Sequence, residues 1–330
     1  MQFATIRLGG STRAAVVSGD HVHPFPDRTT VLDLVRSGLP AALAAGRHIL
    51  ADAPPVPVSA VTFDASLRPP TIRDFVTFEE HVEGVRAAVQ GQTGVPEAWY
   101  AAPHFYFTNP HTVNGPDAVV SAPPGCGELD FELEVAAVVG IAGRDLSVEQ
   151  AADHLFGYTI LNDWSARDLQ RLEMEVGLGP AKGKDFANTL GPVLVTADEL
   201  APRLDSEGFL SLSCTAHING VETGRDMLSN MGWTFPTMLA YASRGAAIEP
   251  GDVLGSGTVG NGGCLAELWG RRGRFDPPPL RAGDVVALTV EGIGTLTNTV
   301  GTPAPPAAAL PVPRLRDRAA HRAQFTAAAR

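Results

Sequence analysis

Cysteine is scarce in this chain of 330 residues: Cys126, Cys214 and Cys264 lie far apart, form no C-x-x-C pair and outline no disulfide framework. They read as packing residues rather than catalytic thiols. Long apolar runs are missing too. No stretch of about 18 apolar residues offers a membrane-spanning helix, and the opening "MQFATIRLGGSTRAAVV" has neither the charged n-region nor the continuous apolar core of a signal peptide. A cytoplasmic protein with no membrane partner is the expectation. Basic clusters are also lacking: 25 Lys and Arg stand against 36 Asp and Glu, the net charge is −11, and no Lys/Arg block interleaves with aromatics. Nucleic acid is therefore not expected as a partner. No G-x-S-x-G marks a hydrolase serine, and "GPAKGKD" lacks two of the residues a P-loop needs. "GSGTVG" at Gly255–Gly260 matches G-x-G-x-x-G, but the "NGGCLAELWGRRGRF" that follows does not open the long helix whose N-terminus would hold a pyrophosphate.

What is present is a globular composition, 44% hydrophobic and 18% charged. Residues 1–70 read as a small β-rich N-terminal domain with strands in "FATIRLGG" and "AAVVSGDHVHPF" and one helix near "VLDLVRSGLPAALAAG". Residues 71–303 hold the chemistry, and residues 304–330 form a Pro/Ala-rich tail read as peripheral or disordered. Within the larger unit, "FEEHVEGVRAAV", "SVEQAADHLFGYT" and "SARDLQRLEME" read as helices. Most other segments read as short strands, which makes the fold α+β and mainly β. "GQTGVPEAWYAAPHFYFTNPHTVNGP" is too irregular for a regular element and reads as a candidate lid.

The stretch "ELDFELEVAAVVG", Glu128 to Gly140, raises a question of its own. As a strand it puts Phe131, Leu133 and Val135 on one face and Asp130, Glu132, Glu134 and Ala136 on the other, with same-face neighbours roughly 6.5 Å apart. Carboxylates that close repel unless a proton or a cation intervenes, so the face is either wet or a cation site. Asp163, between "YTIL" and a helix, either caps that helix or projects into a site at the sheet edge. Arg167 and Gln170 share a helix face. Glu132, Glu134 and Asp163 offer hard oxygen donors with no sulfur or imidazole, a set suited to Mg²⁺, Mn²⁺ or Ca²⁺ rather than Zn²⁺.

Four segments, "DFELEVAAVVG", "NDWSARDLQ", "GPAKGKDFANTLGP" and "GSGTVGNGGCLAEL", together resemble the fumarylacetoacetate hydrolase family over roughly Thr71 to Gly301. The resemblance implies a mixed β-sandwich or β-roll catalytic domain and a homodimer. It implies a divalent ion held by Glu132, Glu134 and Asp163, with Asp74, seven residues before His81, as a fourth ligand. His81 becomes the general base and Glu267 the carboxylate that orients it. Lys184 and Gln170 become oxyanion donors; Arg167, Tyr106 and Thr258 become substrate-binding residues. Some smaller members carry a Glu three residues after the His, where this chain has Gly84. Asp130 is called on by no motif and reads as a solvent-facing or supporting residue.

The activity implied is metal-dependent hydrolysis of a C–C bond in a 1,3-dicarbonyl or acylpyruvate-type 2-oxo acid, the ion converting the expelled carbanion into an enolate. Decarboxylation or tautomerisation of oxaloacetate-like acids, and hydration of a 2-oxo-alkenoate, are the rival reactions for the same residues. A catalytically idle, ligand-binding homologue is a third possibility.

Overall fold

Short alternating strands dominate the computed structural model, which describes residues 1–26 and 28–328; the side chains of 321 and 325–328 and the last two residues of the tail lie outside that description. The N-terminal strands Gln2–Leu8, Ser11–Ser18 and His21–Pro24 run antiparallel to one another. Gln2 and Phe3 then pair with Val195 and Leu194 of Asn188–Thr196. From there the same sheet continues through Leu155–Asp163, Leu133–Val139, Val253–Gly255, Ile72–Phe75 and Phe105–Thr108. It is a mixed sheet, because Val253–Gly255 lies parallel to Ile72–Phe75 while its other neighbour runs antiparallel.

Both faces of this sheet are covered. Val135, Ala137 and Val139 pack with Cys214, Ala216, Val286 and Leu288 of a second sheet, whose main strands are Val221–Met227, Ser213–Ile218, Val285–Val290 and Gly294–Val300. Ala136 and Val138, on the opposite face, join Phe3, Val16, Leu34 and Ile49. The period-two alternation thus holds, but neither face is wet: Asp130, Glu132 and Glu134 are 0, 3 and 1% exposed. A strand buried on both sides leaves its polar residues only its ends, and there they must find partners.

The single helix expected near Val31–Gly46 is two, α1 (Val31–Arg36) and α2 (Leu39–Asp52). Gly38 separates them with a φ of +83°, a conformation open to glycine. Helix α3 (Glu79–Gln90) ends at Gly91 in the left-handed region. Helix α4 (Val148–Asp153) is shorter than read, because Leu155 already belongs to the next strand. Then come α5 (Arg167–Val176), α6 (Ala197–Leu200) and α7 (Phe235–Ala242). An eight-residue helix, α8 (Leu265–Arg272), does follow "GSGTVG", opening only after a further loop. The tail carries α9 (Arg318–Ala328) beyond an exposed stretch without regular structure. No described helix is long and apolar enough to cross a membrane.

The segment read as a lid is tied down. Phe105–Thr108 pairs with Ile72–Phe75, and Trp99 donates its indole N–H to the Val76 carbonyl at 2.7 Å while packing edge-on against Trp233.

Helices α3 and α8 cross with their backbones in contact. A Cβ on Gly84 would lie 2.5 Å from Glu267 Cγ, and one on Gly270 would sit on the Gly84 carbonyl oxygen. Because the obstacle to Gly270 is backbone, Gly270→Ala is expected to cost about 2 kcal/mol or more by overpacking, read as a lower midpoint in denaturant with an unchanged m-value.

Candidate metal centre

Sheet register brings the acids together. Leu133 pairs with Asn162 and Glu134 with Leu161, so the start of one strand meets the end of the next, and Glu132 comes beside Asp163. The Asp163 amide donates to the Glu132 carbonyl. Gly255 pairs with Ala136 on one side and with Asp74 on the other. A Cβ at Gly255 would meet Glu134 Oε2 at 2.6 Å and Asp74 Oδ1 at 2.8 Å, so glycine here leaves the room those carboxylates occupy. One oxygen from each of Asp74, Glu132, Glu134 and Asp163 lies within 4.8 Å of the others, and all four residues are buried.

Two cations stand against these acids. Lys184 Nζ donates to Glu132 Oε2 at 2.6 Å and to Asp163 Oδ2 at 2.7 Å. Arg167 donates from Nε to Asp130 Oδ2 at 2.9 Å and from Nη2 to Glu132 Oε1 at 2.6 Å. Burial opposes the charge on Glu132, but Lys184 and Arg167 outweigh it and hold that carboxyl well below the usual range. Asp74 and Glu134 are less well compensated: burial pushes both well above the usual range, reinforced by Asp163 for Asp74, which Lys184 only partly offsets, and by Asp74 for Glu134. Asp74 Oδ1, Glu134 Oε1 and Asp163 Oδ1 are buried without a hydrogen-bond partner. Unpaired buried carboxylate oxygens are costly, and several converging on one point form a donor set for a hard divalent cation. The expected ligand set fits such an ion.

His81, on the first turn of α3, is 6% exposed, and Nε2 is 3.9 Å from Glu132 Oε1. Burial pushes its pKa down to about 3, so the ring is neutral at physiological pH. Its Nδ1 meets Cys264 Sγ at 3.6 Å. The expected bond from Glu267 is not made: Glu267 Oε1 accepts from the Gly262 amide and pairs with Arg271, and Oε2 has no partner. Cys264, the N-cap of α8, occupies the place beside the imidazole. Gly84 is also accounted for, since a side chain there would collide with Glu267.

A cavity of about 390 Å³ opens onto these groups, lined by Asp74, His81, Tyr106, Glu132, Glu134, Arg167, Gln170, Lys184 and Thr258. Thr258 Oγ1 is buried without a partner. Tyr106, paired with Asp74 across the sheet edge, donates its hydroxyl to Asp163 Oδ2 at 2.5 Å. Arg167, expected to bind substrate, is directed instead at Asp130 and Glu132, and its Nη1 donates to Gln170 Oε1. Asp130 is the residue sequence reasoning undervalued. Besides Arg167, it accepts from the Leu265 and Ala266 amides at the start of α8. Its place in the same alternation as Glu132 and Glu134 was the available signal. Lys184, which the family resemblance supplied, is one of the chain's two lysines, Lys182 being the other.

The model of the fumarylacetoacetate hydrolase C-terminal domain matches residues 71–301. The chain belongs to this family. Curated members of it include an oxaloacetate tautomerase of Bacillus subtilis, 35% identical over 204 residues, and a fumarylacetoacetase of Arabidopsis thaliana, 40% identical over 172 residues. These alignments cover 60% and 43% of this chain, and the chain spans 61% and 41% of those relatives' lengths. Among solved structures, a fumarylacetoacetate hydrolase from Exiguobacterium antarcticum superposes with a TM-score of 0.70 at 26% identity, covering 92% of this chain and 99% of its own. A maleylpyruvate hydrolase from Sphingobium sp. SYK-6, solved with manganese(II) and pyruvate, shares the fold at TM-score 0.69 and 21% identity, with 92% and 100% coverage.

Within this family member, burial raises the Glu267 pKa to about 7 despite Arg271 at 2.9 Å, because that guanidinium is 41% exposed. The folded state therefore holds a proton here that the unfolded chain releases at lower pH. Stability from this group is present below the unfolded carboxyl pKa, near 4.5, and is lost as pH rises toward 7. Glu267→Gln is expected to flatten the fall in melting temperature across that window; an unchanged slope would assign it to other groups.

Proposed function

We propose that the protein is a divalent-metal-dependent enzyme that hydrolyses a C–C bond of an acylpyruvate-type 2-oxo acid or related 1,3-dicarbonyl. The observation that carries this reading is the set of unpartnered buried oxygens on Asp74, Glu134 and Asp163, of which Asp74 and Glu134 line a cavity that a neutral imidazole also lines. Asp74, Glu132, Glu134 and Asp163 would hold Mg²⁺, Mn²⁺ or Ca²⁺, which supplies Lewis acidity toward the oxygens of the dicarbonyl.

The remaining work falls to the chain's own groups. His81, kept neutral by burial, accepts a proton from water on Nε2 while Nδ1 stays against Cys264. Lys184 has three N–H groups and spends two on Glu132 and Asp163, leaving one for a developing oxyanion. Gln170 accepts from Arg167 through Oε1, which leaves its amide N–H groups for the same task. Thr258 Oγ1 offers a hydroxyl to a substrate oxygen. Arg167 and Tyr106 act one step back, holding Glu132 and Asp163 in place. Glu267 acts through α8 and Arg271 rather than through the imidazole. The active form is a homodimer in this reading, as expected from the family, and sedimentation velocity measures it.

A second reading is tautomerisation of an oxaloacetate-like acid. It is favoured by the His81 ring, which meets a thiol and no carboxylate on Nδ1, and by the 35% identity to an oxaloacetate tautomerase. Tautomerisation moves a proton between carbon and oxygen and needs no activated water. Loss of acylpyruvate ultraviolet absorbance, with products resolved by mass spectrometry, separates the two: two carboxylic fragments mean hydrolysis, and an unchanged mass means tautomerisation.

His81→Ala is expected to lower kcat by about 10²- to 10⁴-fold while leaving metal affinity intact. Glu134→Gln is expected to weaken Mg²⁺ or Mn²⁺ binding in calorimetric titration. Full activity of the first variant removes the base role, and unchanged affinity of the second removes the ligand role.

A further inference from the structure

We propose that the outer part of the cavity selects an uncharged, apolar group, so that the substrate is a 2-oxo acid with a hydrocarbon tail and not a dicarboxylic one. This rests on the 2-oxo acid reading of the site given above. The acids and Lys184 form one end of the cavity. Along α3 beyond His81, the lining residues Val82, Val85 and Val89 recur three and four positions apart, which sets them on one helix face. Val89 stands roughly 12 Å of helix beyond His81. Phe105, Met174 and Pro180 are among the residues that extend this apolar lining.

Whether a second carboxylate is welcome depends on the basic side chains in the wall. Arg86 is the one arginine on α3, and its guanidinium is turned to the loop after the helix: Nη1 donates to the carbonyls of Thr93 at 3.3 Å and Gly94 at 2.9 Å, and Nη2 to Gln92 Oε1 at 2.5 Å. His104 is bonded through Nε2 to the Ala98 carbonyl. Arg167 and Lys184 are engaged by the buried acids. A tail carboxylate beside Val82, Val85 and Val89 would be stripped of water while the Arg86 guanidinium stays committed to three oxygens of residues 92–94, whereas methylenes gain by leaving water.

Simple 2-oxo acids, which lack the bond to be cleaved, isolate recognition from turnover. Calorimetric titration of the Mn²⁺-loaded protein is expected to show affinity rising roughly fourfold per methylene from 2-oxobutanoate to 2-oxohexanoate. It should place 2-oxoadipate about tenfold or more below 2-oxohexanoate. Equal or tighter binding of 2-oxoadipate overturns the inference and leaves the site reading standing. No binding of any 2-oxo acid overturns the site reading, and this inference with it. Val85→Arg should reverse the order of the two six-carbon acids; Met174→Lys, from α5, serves the same purpose if the first variant loses its circular dichroism spectrum. An unreversed order in a folded variant counts against the proposed wall.

Discussion

Five buried carboxylates, Asp74, Asp130, Glu132, Glu134 and Asp163, stand against two buried cations, Arg167 and Lys184, and this imbalance is the constraint to which the surrounding structure answers. Were all five acids ionised, the excess would be three negative charges. A low-dielectric interior does not hold such an excess unless protons or a metal ion compensate. The two cations are not spread evenly. They concentrate on Glu132, Asp130 and Asp163, which leaves Asp74 and Glu134 as the undercompensated pair and locates where an added positive charge gains most.

Positioning follows from backbone geometry. An antiparallel pair sets Glu132 beside Asp163, a parallel neighbour adds Asp74, and Gly255 between them contributes no side chain to compete for the space. Asp130 links this cluster to α8 by accepting two of its first amide groups, as acids near a helix start favourably do. Helix α8 in turn carries Cys264 to His81 and lies against α3 through Gly84 and Gly270. The base and the acids are therefore held by one connected set of contacts. A change in the α3–α8 crossing would move His81 relative to the carboxylates without touching any of them.

Much of the candidate site was legible because its members repeat in short motifs with their own chemistry. Glu132 and Glu134 alternate on a strand and Asp163 sits between a strand and a helix, while Asp74, seven residues before His81, and His81 itself came from the family resemblance. Pairing between groups far apart in sequence was not legible. Glu267 was expected at the imidazole and Arg167 at the substrate, whereas Cys264 and Asp130 take those partners. Cys264 looked like a packing residue and Asp130 was left open between solvent-facing and supporting, since residue type says nothing about which neighbour a fold will bring within 4 Å. The single helix expected near Val31–Gly46 split at Gly38 because one residue's backbone freedom outweighed an otherwise helical stretch.

The sequence by itself determined the strand-rich character of the chain and the donor inventory: hard oxygen ligands, one histidine next to an acid pair on a helix, and many short strands. Alternation and residue chemistry are local properties, and they survive into the structure unchanged. Only the tertiary structure decided that both faces of the acidic strand are dry, that Arg167 and Lys184 are spent on the acids, and that valines of α3 wall the cavity beyond His81. The physical reason is that burial and charge compensation depend on what packs from the other side. For this strand, the other side comes from residues 30 to more than 120 positions away.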